Sequence, residues 1–151
     1  MKNILCFLTI FFALHSLGQE TTFDDLKLIL AREATIVKEE GNMVQYSVDQ
    51  LPIYLIVDPA ANRMRLMAPI IEEKDLNEQD LKALIKANFD RALDAKYAVS
   101  DGVLWSVYAH PLRELYKDQL IDAFNQVRNL VYNYGTTYAS TTMLFGGDNG
   151  N

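Results

Sequence analysis

The sequence predicts an α+β domain in which helices pack on one antiparallel sheet of about five strands, in the order helix, three strands, helix, two strands, helix. Three observations carry this. Apolar residues recur at helical spacing in three stretches. Between those stretches lie short runs that alternate or are wholly apolar, as strands do. Two of these runs flank Asp101-Gly102, among the strongest short hairpin signals.

The first helix is predicted in TTFDDLKLILAREATIVKEEGN, where Phe23, Leu26, Ile29, Leu30, Ala34 and Val37 keep helical spacing. Thr22 and Asp25 form a helix-start pair, and Gly41-Asn42 ends the run. MVQYSV (43–48) alternates, with Val44, Tyr46 and Val48 on one side. IYLIVD (53–58) is nearly all apolar, which predicts a central strand covered on both faces. PAAN (59–62) is turn chemistry, and RMRLMAP (63–69) sets Arg63 and Arg65 against Met64 and Leu66.

The second helix has the clearest start. Asn77 and Asp80 make a capping box, Leu76 and Leu81 stand at the two positions of a hydrophobic staple, and Leu81, Leu84, Ile85, Phe89, Ala92 and Leu93 form one apolar stripe. After the hairpin, PLRELYKDQLIDAFNQVRNLVYNY (111–134) carries Leu112, Leu115, Tyr116, Ala123, Val127, Leu130 and Tyr134 at helical spacing. Such a helix would be about 36 Å long, more than a small sheet needs, so part of it is expected to meet something else, a second copy of the chain being one such partner. Gly135 ends it. In the tail, TTYASTTMLFGGDNGN, the apolar triplet Met143-Leu144-Phe145 is expected to fold back into the domain's own groove, with a docking peptide as the alternative.

Residues 1–18 read as an address. Lys2 precedes an apolar run from Ile4 to Leu14, and Ser16 and Gly18 are small residues placed for a cut before Gln19. The run is too short for a spanning helix, so the chain is expected to be exported, periplasmic or secreted, with no membrane span after cleavage. The expected organisation is a signal peptide (1–18), an α+β domain (19–135) and a C-terminal tail (136–151). Cleavage removes the one cysteine, Cys6, which excludes disulfides, thiol nucleophiles and cysteine-ligated zinc from the mature chain. Of the 14 basic residues only Lys2 is lost, so the formal charge moves from −6 to −7. An acidic surface opposes nucleic acid, whose affinity comes largely from phosphate contacts.

The candidate binding residues are Tyr54, Trp105, Tyr108 and His110. Tyr54 and Tyr108 are expected as exposed aromatics of the sheet, joined by Trp105 if a sheet face is open; alternation sets Tyr108 opposite Trp105. Trp105 lies between Val103 and Val107, which favours a core anchor over a platform. His110 precedes Pro111, which holds it extended at a strand-to-helix corner and favours a bond to nearby backbone over a lone ligand. No catalytic residue, metal ligand or cofactor is expected. The acidic run EEKDLNEQD lacks the spacing of a calcium loop and suits a helix start. Ser100 and Ser106 have no nucleophile-elbow context, there is no glycine-rich phosphate loop, and Arg63 and Arg65 suit a solvated sheet edge better than an anion site.

The element order is similar to that of the type III secretion chaperone fold. Ala98-x-x-x-Gly102-x-x-Trp105, then His110-Pro111-Leu112 and Asp122-Ala123, resemble the YbjN-type family of that fold, described as sensory transduction regulators. The resemblance spans about residues 22–134 and implies a small, non-enzymatic, often dimeric module that binds polypeptides. The expectation is therefore an exported, chaperone-like protein-binding or regulatory homodimer with no cofactor. The alternatives are a carrier for a small apolar ligand or lipid, which needs an apolar cavity under the long helix, and a small carboxylate-based hydrolase, which needs a pocket holding two acids.

Overall fold

The structure is a computed structural model and describes residues 21–142. The expected leader and the Met143–Phe145 triplet lie outside the described residues. The elements run α1 (Phe23–Leu30), β1 (Thr35–Glu40), β2 (Met43–Val48), β3 (Leu51–Asp58), β4 (Arg63–Glu72), α2 (Glu78–Asp90), β5 (Lys96–Ser100), β6 (Val103–His110) and α3 (Lys117–Tyr132), with a 3₁₀ turn at Glu73–Asp75. All six strands join one antiparallel sheet in the order β1-β2-β3-β4-β6-β5.

The α+β architecture and antiparallel sheet are as expected, with a sixth strand where the first helix was extended too far. Thr22 and Asp25 do close a capping box, but α1 stops at Leu30. The β-branched run Thr35-Ile36-Val37 is then strand, because such side chains fit a pleated edge better than a helix interior. Gly41-Asn42 is a hairpin turn: Glu40 pairs with Met43, and Gly41, at φ 57°, takes the first central position of a type II′ turn. The β2–β3 turn places both Asp49 and Gln50 at positive φ, and Asp101-Gly102 closes β5–β6 in the same way, as expected.

Strand alternation builds the core. Val44 and Tyr46, Ile53, Leu55 and Val57, Met64, Leu66 and Ala68, and Leu104 and Tyr108 all point to one face and are buried. Over that face α3 lays Leu120, Ala123, Phe124, Val127 and Leu130, and α1 adds Leu26 and Leu30. Two buried phenols tie the layers: the Tyr97 hydroxyl donates to Leu130 O at 2.8 Å, and that of Tyr46 to Lys27 O at 3.3 Å.

α3 is shorter than its apolar pattern suggested, about 24 Å for 16 residues. Leu112 and Leu115 are buried, yet they belong to the loop that follows Pro111. Asn62, at φ 52°, holds that loop: its Oδ1 accepts from Arg113 N at 3.0 Å, and its amide donates to Glu114. The overhang expected to meet a second copy is therefore absent.

α2 flanks β5. Its capping box at Asn77 and Asp80 forms as expected. Leu84 and Ala87 face inward, and the Asn88 amide donates to Tyr97 O at 2.9 Å and accepts from Tyr97 N at 2.8 Å. Lys96 Nζ collects the carbonyls of Asn88, Ala92 and Leu93 at 2.6–2.7 Å, placing a cation where the helix dipole is negative. Past α3 the chain turns back: Ser140 Oγ accepts from Leu93 N, Ser140 N donates to Arg91 O, and Asn129 and Asn133 hold the Ser140 and Ala139 carbonyls.

Candidate functional site

All helices of the core layer lie on one side of the sheet, so β3 is covered on one face and not on two. Ile53, Leu55 and Val57 are buried, whereas Tyr54 is half-buried and Ile56 is 39 % exposed. The uncovered face is ordered by register. One row runs Gln45, Tyr54, Met67, Val107, and the next runs Met43, Ile56, Arg65, Ala109. A further pair, Pro69 and Trp105, adjoins Ala98 on β5.

Trp105 is not a core anchor: with Val103 and Val107 it stands on the uncovered face, half-buried, since Leu104, Ser106 and Tyr108 take the covered side. Its ring meets Tyr54 edge to face, centroids 6.3 Å apart at 73°, and its Nε1 donates to Ser100 O at 3.1 Å. Such pairs contribute about 0.5–1.5 kcal/mol beyond burial and fix both rings in place. Toward the opposite end of β4 lies a cleft of about 280 Å³, lined by Ile56, Asp58, Ala61, Arg63, Met64, Arg65 and Ala109. Arg63 and Arg65 are exposed on β4, an interior strand, which corrects the expected sheet edge.

Tyr108 and His110 lie on the other side. Tyr108 was expected to be exposed and is only 3 % so, because it points beneath α3. Burial first, then the nearby Asp94 carboxylate, holds its hydroxyl above the ordinary phenol value. His110 stacks on it, centroids 6.1 Å apart and planes 6° from parallel. His110 Nδ1 sits 2.7 Å from Pro111 O, which can only accept, so Nδ1 carries the proton; Nε2 then accepts from the Gln119 amide at 3.1 Å. Of the four candidates, the fold brings together Tyr54 and Trp105 on one face and Tyr108 and His110 on the other.

A second apolar surface was missed because its residues looked like core. On α2, Leu81, Ile85 and Phe89 are 41 %, 72 % and 85 % exposed. The stripe is wider than the buried part of α2, which is Leu84 and Ala87, with Asn88 bonded to Tyr97 of β5. The clue in the sequence is Asn88, a polar residue on the helix face that has to meet the sheet.

The chemistry of other sites is thin among the described residues. No group of three or more His, Cys, Asp or Glu side chains converges as a metal would need, and no helix is long and apolar enough to cross a membrane. Asp94 and Asp122 share the buried Gln126 amide, at 3.4 and 2.6 Å, and both are exposed to solvent. In the acidic run, Asp80 caps α2, Glu72 pairs with Lys74, and Glu78 with Lys82. Between sheet and α3, where a carrier would need its cavity, Leu120, Phe124 and Val127 fill the layer.

No family model and no curated protein matches the sequence. Solved structures do match. A chain of the HopA1–SchA chaperone–effector complex superposes with a TM-score of 0.57 at 15 % identity, over 74 % of this chain and 88 % of that one. A chain of the complex of the Yersinia pestis type III secretion chaperone SycH with a stable fragment of YscM2 gives 0.56 at 12 % identity, over 76 % and 100 %. A chain of the ExsC–ExsE complex gives 0.53 at 14 %, over 76 % and 96 %. The chain thus has the fold of type III secretion chaperones.

Proposed function

We propose that this chain is an exported, non-enzymatic protein-binding module that pairs with a second copy through α2 and takes a polypeptide partner on the uncovered sheet face. The observation that carries it is the Tyr54–Trp105 pair, two fixed, half-buried aromatics on a sheet face that no helix covers. Rigid amphipathic rings of this kind are the side chains that dominate protein-binding energetics. The fold neighbours lend support, being chains of chaperone–effector and similar complexes. The YbjN-type assignment rests on the residues quoted above, and export rests on the leader pattern of residues 1–18.

Self-association rests on the α2 stripe. Leu81, Ile85 and Phe89 recur every four residues, so a two-fold axis at Ile85 sets Leu81 of one copy against Phe89 of the other.

The test places a photo-crosslinking benzoylphenylalanine at position 67, beside Tyr54, in the leader-bearing chain expressed in its native cell. Irradiation is expected to give one dominant adduct, absent when Trp105→Glu is added to the same chain. Equal adducts with and without Trp105→Glu, or none at all, overturn the sheet-face reading. The mass of the recovered chain reports at once whether it begins at Gln19.

A further inference from the structure

Resting on that reading, we infer that the partner segment is acidic as well as apolar, and that Arg63 and Arg65 select it. The formal charge of this protein is −6, yet its uncovered face has cations to spare. Lys38 on that face is ion-paired with Glu40, and the Lys96 amine is held by the end of α2. That leaves the two arginines. Arg63 Nη1 donates to Asn62 O at 2.9 Å, and neither guanidinium has a carboxylate within 4.0 Å among the described residues. Asp58, in register with Arg63, lines the same cleft and accepts from Ala61 N at 2.9 Å, so it offsets part of the Arg63 charge and leaves that of Arg65 whole.

The order of these groups along β4 defines the ligand. The uncovered face of that strand reads Arg63, Arg65, Met67, Pro69, at steps of about 7 Å. Ile56 and Ala109 flank Arg65, Tyr54 and Val107 flank Met67, and Trp105 flanks Pro69. An extended segment lying along β4 has the same two-residue repeat. It therefore meets the strand with acidic, acidic, apolar and apolar side chains at alternate positions. A guanidinium takes a carboxylate through two parallel hydrogen bonds, which fixes register as well as sign. The stretch from Met67 to Trp105 supplies the apolar half.

Two synthetic peptides serve as probes: acetyl-Glu-Ser-Glu-Ser-Leu-Ser-Phe-amide and its counterpart with Lys for each Glu, each also made in reversed order. Trp105 is the one tryptophan of the chain, so its emission reports occupancy of this face directly. The overall negative charge by itself favours the lysine peptides, so a preference for acid can arise only locally. In the whole mature protein at low ionic strength, an acidic peptide is expected to bind at least tenfold more tightly, with the preference inverted in Arg63→Glu/Arg65→Glu and weakened in Arg65→Gln. Equal affinity for both charges overturns the inference and leaves the sheet-face reading standing. Failure of every peptide to change the emission, together with failure of every peptide to lower the yield of the position-67 adduct when present during irradiation, overturns both.

Discussion

α2 and α3 are written in the same way, with apolar residues three and four apart on a polar background, and they end in opposite circumstances. α3 buries Leu120, Ala123, Phe124, Gln126, Val127 and Leu130 across the sheet; α2 buries only Leu84 and Ala87 and leaves Leu81, Ile85 and Phe89 in solvent. Periodicity determines which residues share a face. What covers that face is decided by topology: the β4–β6 pairing puts α3 over the middle of the sheet and α2 beside its β5 edge. A stripe left over is a statement about partners.

The sharpest way to break this comparison is to truncate one phenylalanine on each helix. Phe124→Ala, at a fully buried site, is expected to cost about 3–5 kcal/mol in urea unfolding, the range for large core truncations. Phe89→Ala, at dilution where the chain is monomeric, is expected to stay within about 0.5 kcal/mol. A comparable loss at both sites would mean that α2 is covered within one chain, and would sink the pairing proposal. A smaller effect tests pairing itself. Ile85→Glu sets two like charges on the two-fold axis and is expected to weaken self-association at least tenfold by equilibrium sedimentation, about 1.4 kcal/mol, without changing the monomer's melting temperature. A wild-type chain that stays monomeric at every concentration reached would refute it.

The smallest effect concerns how the sheet grips α3. Burial holds the Tyr97 hydroxyl, which donates to Leu130 O, well above the ordinary phenol value of 10.0. A proton bound more tightly in the folded chain stabilises it fully below the unfolded-state value and less as pH climbs toward the folded-state one. Stability is therefore expected to fall above about pH 10. Tyr97→Phe should cost about 1 kcal/mol at pH 7 and flatten that alkaline fall. An unchanged slope in the variant would assign the fall to other groups, of which Tyr46, also raised by burial, is the first.

Much of the fold was legible because local chemistry and final structure agree. The capping boxes at Thr22 and Asn77, the Asp101-Gly102 hairpin and the alternation of Arg63 and Arg65 against Met64 and Leu66 all stand in the structure. The misread stretches are those in which one pattern serves two structures. Gly-Asn ends a helix or turns a hairpin, and residues 35–40 are decided by pairing with β2, which no local window contains. Leu112 and Leu115 mimic a helical stripe from within a loop that Asn62 holds at long range. Of the candidate site, the residues Tyr54 and Trp105 were legible and their shared face was not, because alternation within a strand does not say which side the helices choose.

The Asn88 amide has a consequence beyond holding α2 in place. By giving one acceptor and one donor to the outward backbone of Tyr97, it imitates a neighbouring strand one residue long. Growth of a β-sheet is a polymerisation, and each added strand needs an unterminated end. Here one side chain is the chain terminator, engaging the ladder where the next strand would dock and offering nothing for a further one to copy. At the opposite boundary the register of β1 slips between Ile36 and Lys38, and charged side chains crowd Lys38–Glu40. The uncovered sheet face thus lies between two rims that each resist templating a fibre.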